Sequence, residues 1–166
     1  MAYLWHLVRR FFGSLWPGGP APSDELWVIG LLLDGEGELW RRMSGFDRRH
    51  AVGVARRVAA DLGPEATRPV LAAALLHDVG KVDSGLGPIR RALATVWSWL
   101  LGHRRASAGT GRMARYLRHD QIGADLLTTA GADPLTVTWT REHHLPESRW
   151  TLPPAIARSL KAADDD

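Results

Sequence analysis

The stretch "LLHDVGK", residues 75–81, decides how this chain is interpreted. It ends an apolar run with a His and an Asp side by side, followed closely by a Gly and a Lys. The dipeptide alone is uninformative, because 7 His and 12 Asp in 166 residues predict about half a copy by chance, and the chain contains two. Its meaning therefore depends on the other polar residues that accompany it.

Composition restricts the class of protein. The chain is 45% hydrophobic, and its 166 residues are enough for one domain with an appendage and a substantial core. It contains no cysteine, which excludes disulfides, thiolate nucleophiles and Cys-ligated zinc. Any bound metal must therefore be held by His and carboxylate side chains.

Residues 1–23 are predicted to form an N-terminal extension that precedes a domain spanning 24–166. Segment 3–16 is predicted to be an amphipathic helix, and "PGGPAPS" (17–23) breaks it as a linker. The apolar face of this helix consists of Leu4, Leu7, Val8, Phe11 and Leu15. Its Trp content and two Arg suit a peripheral membrane contact, and packing on the domain or on a second copy is the alternative.

No apolar run is long enough to cross a bilayer, since the longest, 26–33 and 92–102, fall short of the roughly 18–20 residues required. A secretory signal is also not apparent. We therefore expect a cytoplasmic protein, with membrane association through 3–16 as an option. The sequence leaves the oligomeric state open.

The rest of the chain is predicted to be all-α, because it shows helical periodicity and caps but no strand alternation. Gly80 is expected to end its helix as a left-handed C-cap. The predicted helices are 45–62 with Ser44 as N-cap, 65–79 opened by Pro64, 88–102, 112–118, 121–130 capped by Asp120, 134–144 opened by Asp133-Pro134, and 154–164 opened by Pro153-Pro154.

Helical phase places ionisable residues on apolar faces. His50 lies on the apolar stripe of the 45–62 helix, and Asp78 shares a face with Leu71 and Leu75. In the last helix, Asp164 rather than Asp165 is in phase with the apolar positions. A single inward His is usually a hydrogen-bonded core residue, but several such residues together need partners.

More potential metal ligands occur at helix ends. His77 is adjacent to Asp78, His119 precedes a helix, and the pair His143-His144 ends another. Three Asp at the C-terminus, from 164 to 166, oppose their helix dipole, and a cation near Asp164 would offset this. Neutral imidazoles with carboxylates suit Fe, Mn or Zn, and seven ligands suit two adjacent ions that share a carboxylate.

These residues resemble the HD-domain phosphohydrolase superfamily, which is an all-α, metal-dependent fold. The resemblance covers about 44–166 and is carried by "RRHAVGVARRVA", "LLHDVGK" and "LKAAD". The additional His119 in "LRHDQIGADLL" and the "EHH" of 142–144 resemble the binuclear subgroup. The resemblance therefore implies an HD-type helical bundle with an expanded ligand set.

The resemblance also implies roles for individual residues. One divalent ion would take His50, His77, Asp78 and Asp164, and a second would take His119, His143 and His144, with Asp78 bridging. Fe or Mn is preferred, and Zn, Ni, Co or Mg are alternatives. Asp78 and Lys81 would be catalytic, with the Lys81 ammonium holding a phosphate oxygen or the leaving group. The alternative for Lys81 is that it only complements a helix dipole.

The implied function is hydrolysis of a phosphate-containing small molecule, a nucleotide or a cyclic dinucleotide, by a metal-activated hydroxide that attacks phosphorus. The alternative is a non-catalytic metal- or nucleotide-binding module of the same fold, used in signalling or interaction. "HHLPESRW" replaces the Gly-Tyr-Pro segment of the HD-GYP proteins, which argues against cyclic-di-GMP.

Seven Arg and no acid occur between 86 and 118. Such a stripe suits phosphate-bearing partners or an anionic membrane surface, although an ordinary solvated face explains it equally well. No nucleic-acid recognition motif accompanies it. Nucleic acid is therefore the least favoured partner.

Overall fold

A computed structural model describes residues 18–86 and 107–165 of the chain. Across these two ranges the regular structure is entirely helical, which confirms the all-α prediction. The predicted helices 3–16 and 88–102 lie outside the described residues. The α-helices are α1 (Pro22–Leu31), α2 (Asp34–Arg42), α3 (Gly45–Leu62), α4 (Arg68–Leu76), α5 (Lys81–Ser84), α6 (Arg112–Leu117), α7 (His119–Thr129), α8 (Pro134–Glu142) and α9 (Pro154–Asp165).

The centre of the bundle is α4, whose sequence "RPVLAAALL" is apolar on all sides after its first residue, Arg68. A helix that is hydrophobic all round must be buried, and Ala72 through Leu76 are completely inaccessible to solvent. This helix packs against α3 on one side and α8 on the other, while α9 packs on α3 and α7 on α8. The segment after Leu76 is therefore delivered into the middle of the protein.

The structure confirms two of the predicted N-cap residues, Ser44 and Asp133. The Ser44 hydroxyl accepts a hydrogen bond from the backbone N–H of Asp47 at 3.1 Å, as an N-cap does. The Asp133 carboxylate likewise accepts from the N–H of Leu135 at 2.9 Å. Both caps satisfy donors that the first helical turn leaves without a partner.

Two other helix starts were wrong. Residues Gly63–Glu65 form a 3₁₀ turn, and the α-helix begins only at Arg68. Pro69 explains this, because it lacks the N–H that a helix starting at 65 would need, yet suits the first turn of a helix starting at 68. Helix α7 already begins at His119, so Asp120 lies in its first turn and does not cap it.

Gly80 was also predicted wrongly as a left-handed C-cap. Its φ is −63°, which any residue can adopt. Glycine is needed instead because a Cβ on Gly80 would lie 1.9 Å from the backbone oxygen of His119. The residue is selected by close packing against α7 and not by its conformational freedom.

Among the described residues, no helix combines the length and apolar character needed to cross a membrane.

Candidate metal centre

Five separate segments bring seven polar side chains to one place in the bundle interior. His50 comes from α3 and Asp164 from the last turn of α9. The remaining five come from helix ends and the turns that follow them: His77 and Asp78 after α4, His119 at the start of α7, and His143 and His144 after α8. All seven predicted ligand residues are thus near neighbours, although they span more than 110 positions of the sequence.

Asp78 lies between two groups of imidazoles. Its ligand atoms lie within 4.8 Å of those of His50 and His77 in one group, and of His119, His143 and His144 in the other. Oδ2 of Asp78 is 3.4 Å from Nε2 of His77, whereas Oδ1 is 3.2 Å from Nε2 of His119. The two oxygens face different groups, as a bridging carboxylate requires.

Asp164 completes the first of these groups. Its Oδ1 lies 2.9 Å from Nε2 of His50 and 3.4 Å from Nε2 of His77. The next residue, Asp165, is 61% exposed and pairs with Lys161 on the surface. The helical phase that singled out Asp164 as the inward carboxylate is therefore confirmed.

Three of the His side chains are oriented in the same way. Their Nδ1–H groups donate to the carbonyl three residues earlier, at 2.9 Å for His77, 2.7 Å for His119 and 2.8 Å for His143. These carbonyls lie near helix ends, where the last carbonyls of a helix lack the N–H partner four residues later. Because a carbonyl only accepts, each Nδ1 carries the proton and each Nε2 is directed at the centre, as in metal-ligating His.

The residues fit divalent ions. The Nε2 atom of His143 is buried, and among the described residues it has no hydrogen-bond partner, whereas Nε2 of His77 faces the carboxylates of Asp78 and Asp164 at 3.4 Å. Buried polar atoms are costly without partners, so the unpartnered imidazole nitrogen of His143 beside this carboxylate needs an explanation. Five imidazoles and two carboxylates form a donor set that suits Fe, Mn or Zn.

Electrostatics divides the centre into unequal halves. Burial alone would raise the pKa of Asp78, but the Lys81 ammonium and His77 hold it well below its usual range. Burial likewise opposes ionisation of Asp164, and His77 and His50 lower its pKa. On the other side, burial and the neighbouring imidazole of His144 lower the pKa of His143. The carboxylates are thus ionised and His143 is neutral, which are the states that bind metals.

Lys81 is the first residue of α5, and its Nζ donates to Oδ2 of Asp78. The side chain is only 13% exposed. Burial would lower the pKa of Lys81, but the Asp78 carboxylate outweighs it and raises the pKa. The structure therefore places a compact positive charge directly on the central carboxylate.

Two neighbours of the centre were missed by sequence reasoning. Arg57 donates from Nε and Nη2 to the carbonyl of Ala163, at 3.0 and 2.7 Å, and so anchors the end of α9 beside Asp164. It follows His50 by seven positions, so helical phase could have found it. The ring of Tyr116 stacks on the imidazole of His119, with the two ring centroids 5.6 Å apart. No sequence signal indicated this contact.

The described members of the Arg stripe are held by nearby groups. Arg112 donates to the carbonyl of Ser84 at 2.9 Å, Arg115 pairs with Asp83 at 3.4 Å, and Arg118 donates to a backbone carbonyl at 3.2 Å. Two of these contacts tie α6 to the segment containing α5. The other Arg of the stripe lie outside the described residues.

The helical bundle and its buried His/Asp cluster define a candidate metal centre of the HD type. The family model described as "HD domain" matches residues 49–165, which is more than half of the chain and contains all seven cluster residues. The chain therefore belongs to the HD domain family, whose members are typically metal-dependent phosphohydrolases. No curated protein and no solved structure matched the chain.

The first prediction concerns the proton that His77 must lose when a metal ion binds. Burial lowers the pKa of His77, but Asp78 and Asp164 outweigh this and raise it to about 10. At pH 7.5 the ion-free protein therefore carries a proton on Nε2 of His77, and a cation that binds there must displace it. We expect about one proton to be released with the first ion, and affinity to rise with pH between 6.5 and 8.5.

Proton release is measured by isothermal titration calorimetry in buffers with different enthalpies of ionisation. Because a raised pKa stabilises the protonated state, the sign is fixed: binding weakens as pH falls. Binding heats that are independent of the buffer, with affinity independent of pH, would contradict the prediction.

The second prediction concerns Arg57. Its removal in Arg57→Ala releases the last turn of α9, so Asp164 loses its fixed position. Groups that orient metal ligands typically contribute about 10–100-fold to metal affinity, and we expect a loss in that range. Arg56→Ala is the matched control, because Arg56 is the adjacent residue of α3 but pairs with Asp24, at 2.9 Å. Equal metal affinities of the two variants would count against this role.

Proposed function

We propose that this protein is a metal-dependent phosphohydrolase or phosphodiesterase that acts on a nucleotide or cyclic dinucleotide. The observation that carries the proposal is the position of Asp78 between two groups of inward-facing imidazoles. Membership of the HD domain family supports the same reaction class. The substrate class rests on the resemblance of His119 and the His143-His144 pair to the binuclear subgroup.

The residues divide into two ligand sets. His50, His77, Asp78 and Asp164 would hold one divalent ion, and Asp78, His119, His143 and His144 would hold the other. Such a pair of ions, preferably Fe or Mn, would supply an activated water and positive charge for attack on phosphorus. The carboxylate of Asp78, kept ionised by Lys81 and His77, would hold the two ions together.

Lys81 would act on the substrate side. Its ammonium is almost fully buried, remains charged and lies against Asp78, so a phosphoryl oxygen brought to the centre would meet a fixed positive charge. Such preorganised charge stabilises negative charge that develops on a transferred group or a leaving oxygen. A compact ammonium suits this position, because a planar guanidinium would occupy more of the space beside the carboxylate.

Access to the centre would come from the side of His144. It is the one exposed member among the seven, while His77, Asp78, His119 and His143 are buried. The chain continues from this pair through Leu145-Pro146 into the 3₁₀ turn Glu147–Arg149. This continuation lacks a Gly-Tyr-Pro segment, so we do not extend the proposal to cyclic-di-GMP.

The test combines a metal assay with a hydrolysis screen. The purified full chain is loaded separately with Mn or Fe and incubated with nucleotides, dinucleoside polyphosphates, cyclic dinucleotides and a generic phosphodiester. We expect at least one compound to be hydrolysed, with activity lost on chelation. Metal binding without hydrolysis in any metal form would instead support the non-catalytic module.

A further inference from the structure

Two glycines meet where the segment after Asp78 crosses α7. A Cβ built on Gly80 would lie 1.9 Å from the backbone oxygen of His119 and 2.6 Å from the backbone nitrogen of Gly123. A Cβ on Gly123 would lie 2.9 Å from Cγ2 of Thr140 and 3.0 Å from the nitrogen of Gly80. The two backbones are therefore in direct contact, without room for a side chain on either.

This contact joins the segments that carry three of the cluster residues. Gly80 follows Asp78 by two residues, and Gly123 follows His119 by about one helical turn. Thr140, which packs on Gly123, provides the carbonyl that accepts from Nδ1 of His143 at 2.8 Å. The Gly80–Gly123 contact thus lies at the junction of the turn after α4, helix α7 and the end of α8.

We propose that Gly80 and Gly123 are positioning residues that decide whether the protein holds a second ion. They would set the approach of His119 and His143 to Asp78, whose Oδ1 lies 3.2 and 3.9 Å from their respective Nε2 atoms. The inference rests on the proposed function in that it needs the two ligand sets that share Asp78. The inference goes beyond the proposed function because it makes binding of the second ion depend on the contact between the backbones of Gly80 and Gly123.

An added side chain at Gly123 is expected to weaken binding of the second ion and not of the first, because different helices support the two ligand groups. The atoms nearest to a Cβ on Gly123 belong to Thr140, Gly80 and Val79, and none belongs to α3 or α9. Helix α4, which leads into His77 and Asp78, is packed between α3 and α8. Cores are close-packed, so an added methyl on Gly123 forces a shift among the groups it meets, and these belong to the segments that carry Asp78, His119 and His143.

The test compares Gly123→Ala with Gly30→Ala in the full chain. Both glycines are helical, but a Cβ on Gly30 would meet nothing within 4 Å. Mn²⁺ binding is followed by calorimetry, and bound metal is counted by mass spectrometry after desalting. We expect wild type and Gly30→Ala to hold two ions, while Gly123→Ala loses about 10–100-fold in affinity for the second ion only.

A double variant, Gly123→Ala/Thr140→Ser, removes the methyl group that the new Cβ would meet. Its loss of affinity should be smaller and again confined to the second ion, because the nitrogen of Gly80 remains 3.0 Å away. This variant also carries the test if Gly123→Ala does not fold.

The proposal fails if the folded variants bind the second ion with wild-type affinity, or if they lose both ions in equal measure. Wild-type protein that binds one Mn²⁺ ion or none would contradict the two-ion centre itself. The two failures are therefore distinguishable.

Discussion

Asp78→Asn is expected to abolish the binding of both ions and to lower kcat by about 10³-fold or more. The amide keeps the shape of the side chain but removes the charge that faces both imidazole groups. Two ions supply several kcal/mol of transition-state stabilisation, and about 4 kcal/mol corresponds to a factor of about 10³ in rate. Loss of this carboxylate also removes the partner of the Lys81 ammonium, which would then be buried without its counter-charge.

The measurement is kcat on the best substrate of the screen, together with the number of bound ions. Asp125→Asn is the matched control, because Asp125 lies in α7 with its side chain 79% exposed and, among the described ion pairs, contacts only Arg141, which is 54% exposed. The control is expected to retain two ions and wild-type kcat. An Asp78→Asn protein that remains folded and hydrolyses substrate at the wild-type rate would overturn the central role of Asp78.

Removal of metal is expected to lower the melting temperature by about 8–16 °C. An ion that binds only the folded chain, at a free concentration about 1,000-fold above its Kd, stabilises it by about 4 kcal/mol. For a chain of this size, each kcal/mol shifts Tm by about 2–4 °C. The physical source is the cluster itself, in which the buried Nε2 atoms of His77 and His143 lie beside ionised carboxylates.

Thermal denaturation in EDTA and in increasing Mn²⁺ measures this effect. The shift should depend on the metal concentration in wild type and disappear in Asp78→Asn. Identical melting temperatures with and without metal would show that the cluster does not bind the ion. A large shift of the melting temperature by Mn²⁺ without hydrolysis of any compound would indicate that the metal only stabilises the fold. It would therefore favour the non-catalytic module.

Much of the local structure could be predicted from the sequence. The caps Ser44 and Asp133 depend on short-range hydrogen bonds, and the inward orientation of Asp164 depends only on the helical period. One error had a local cause, because Pro69 delays the start of α4. By contrast, the reason for glycine at position 80 is a backbone of α7 some forty residues away, which no local pattern contains.

The sequence by itself determined the all-helical class, the helix faces on which His50 and Asp164 lie, and the residue types that could bind metal. Only the tertiary structure decided which faces meet. It brought Nε2 of His50 within 2.9 Å of Asp164, which lies 114 positions later, and turned the two oxygens of Asp78 toward different imidazole groups. The reason is physical: the helical period fixes direction about one axis, whereas distances between helices follow from close packing of side chains and, at Gly80 and Gly123, of the backbones themselves.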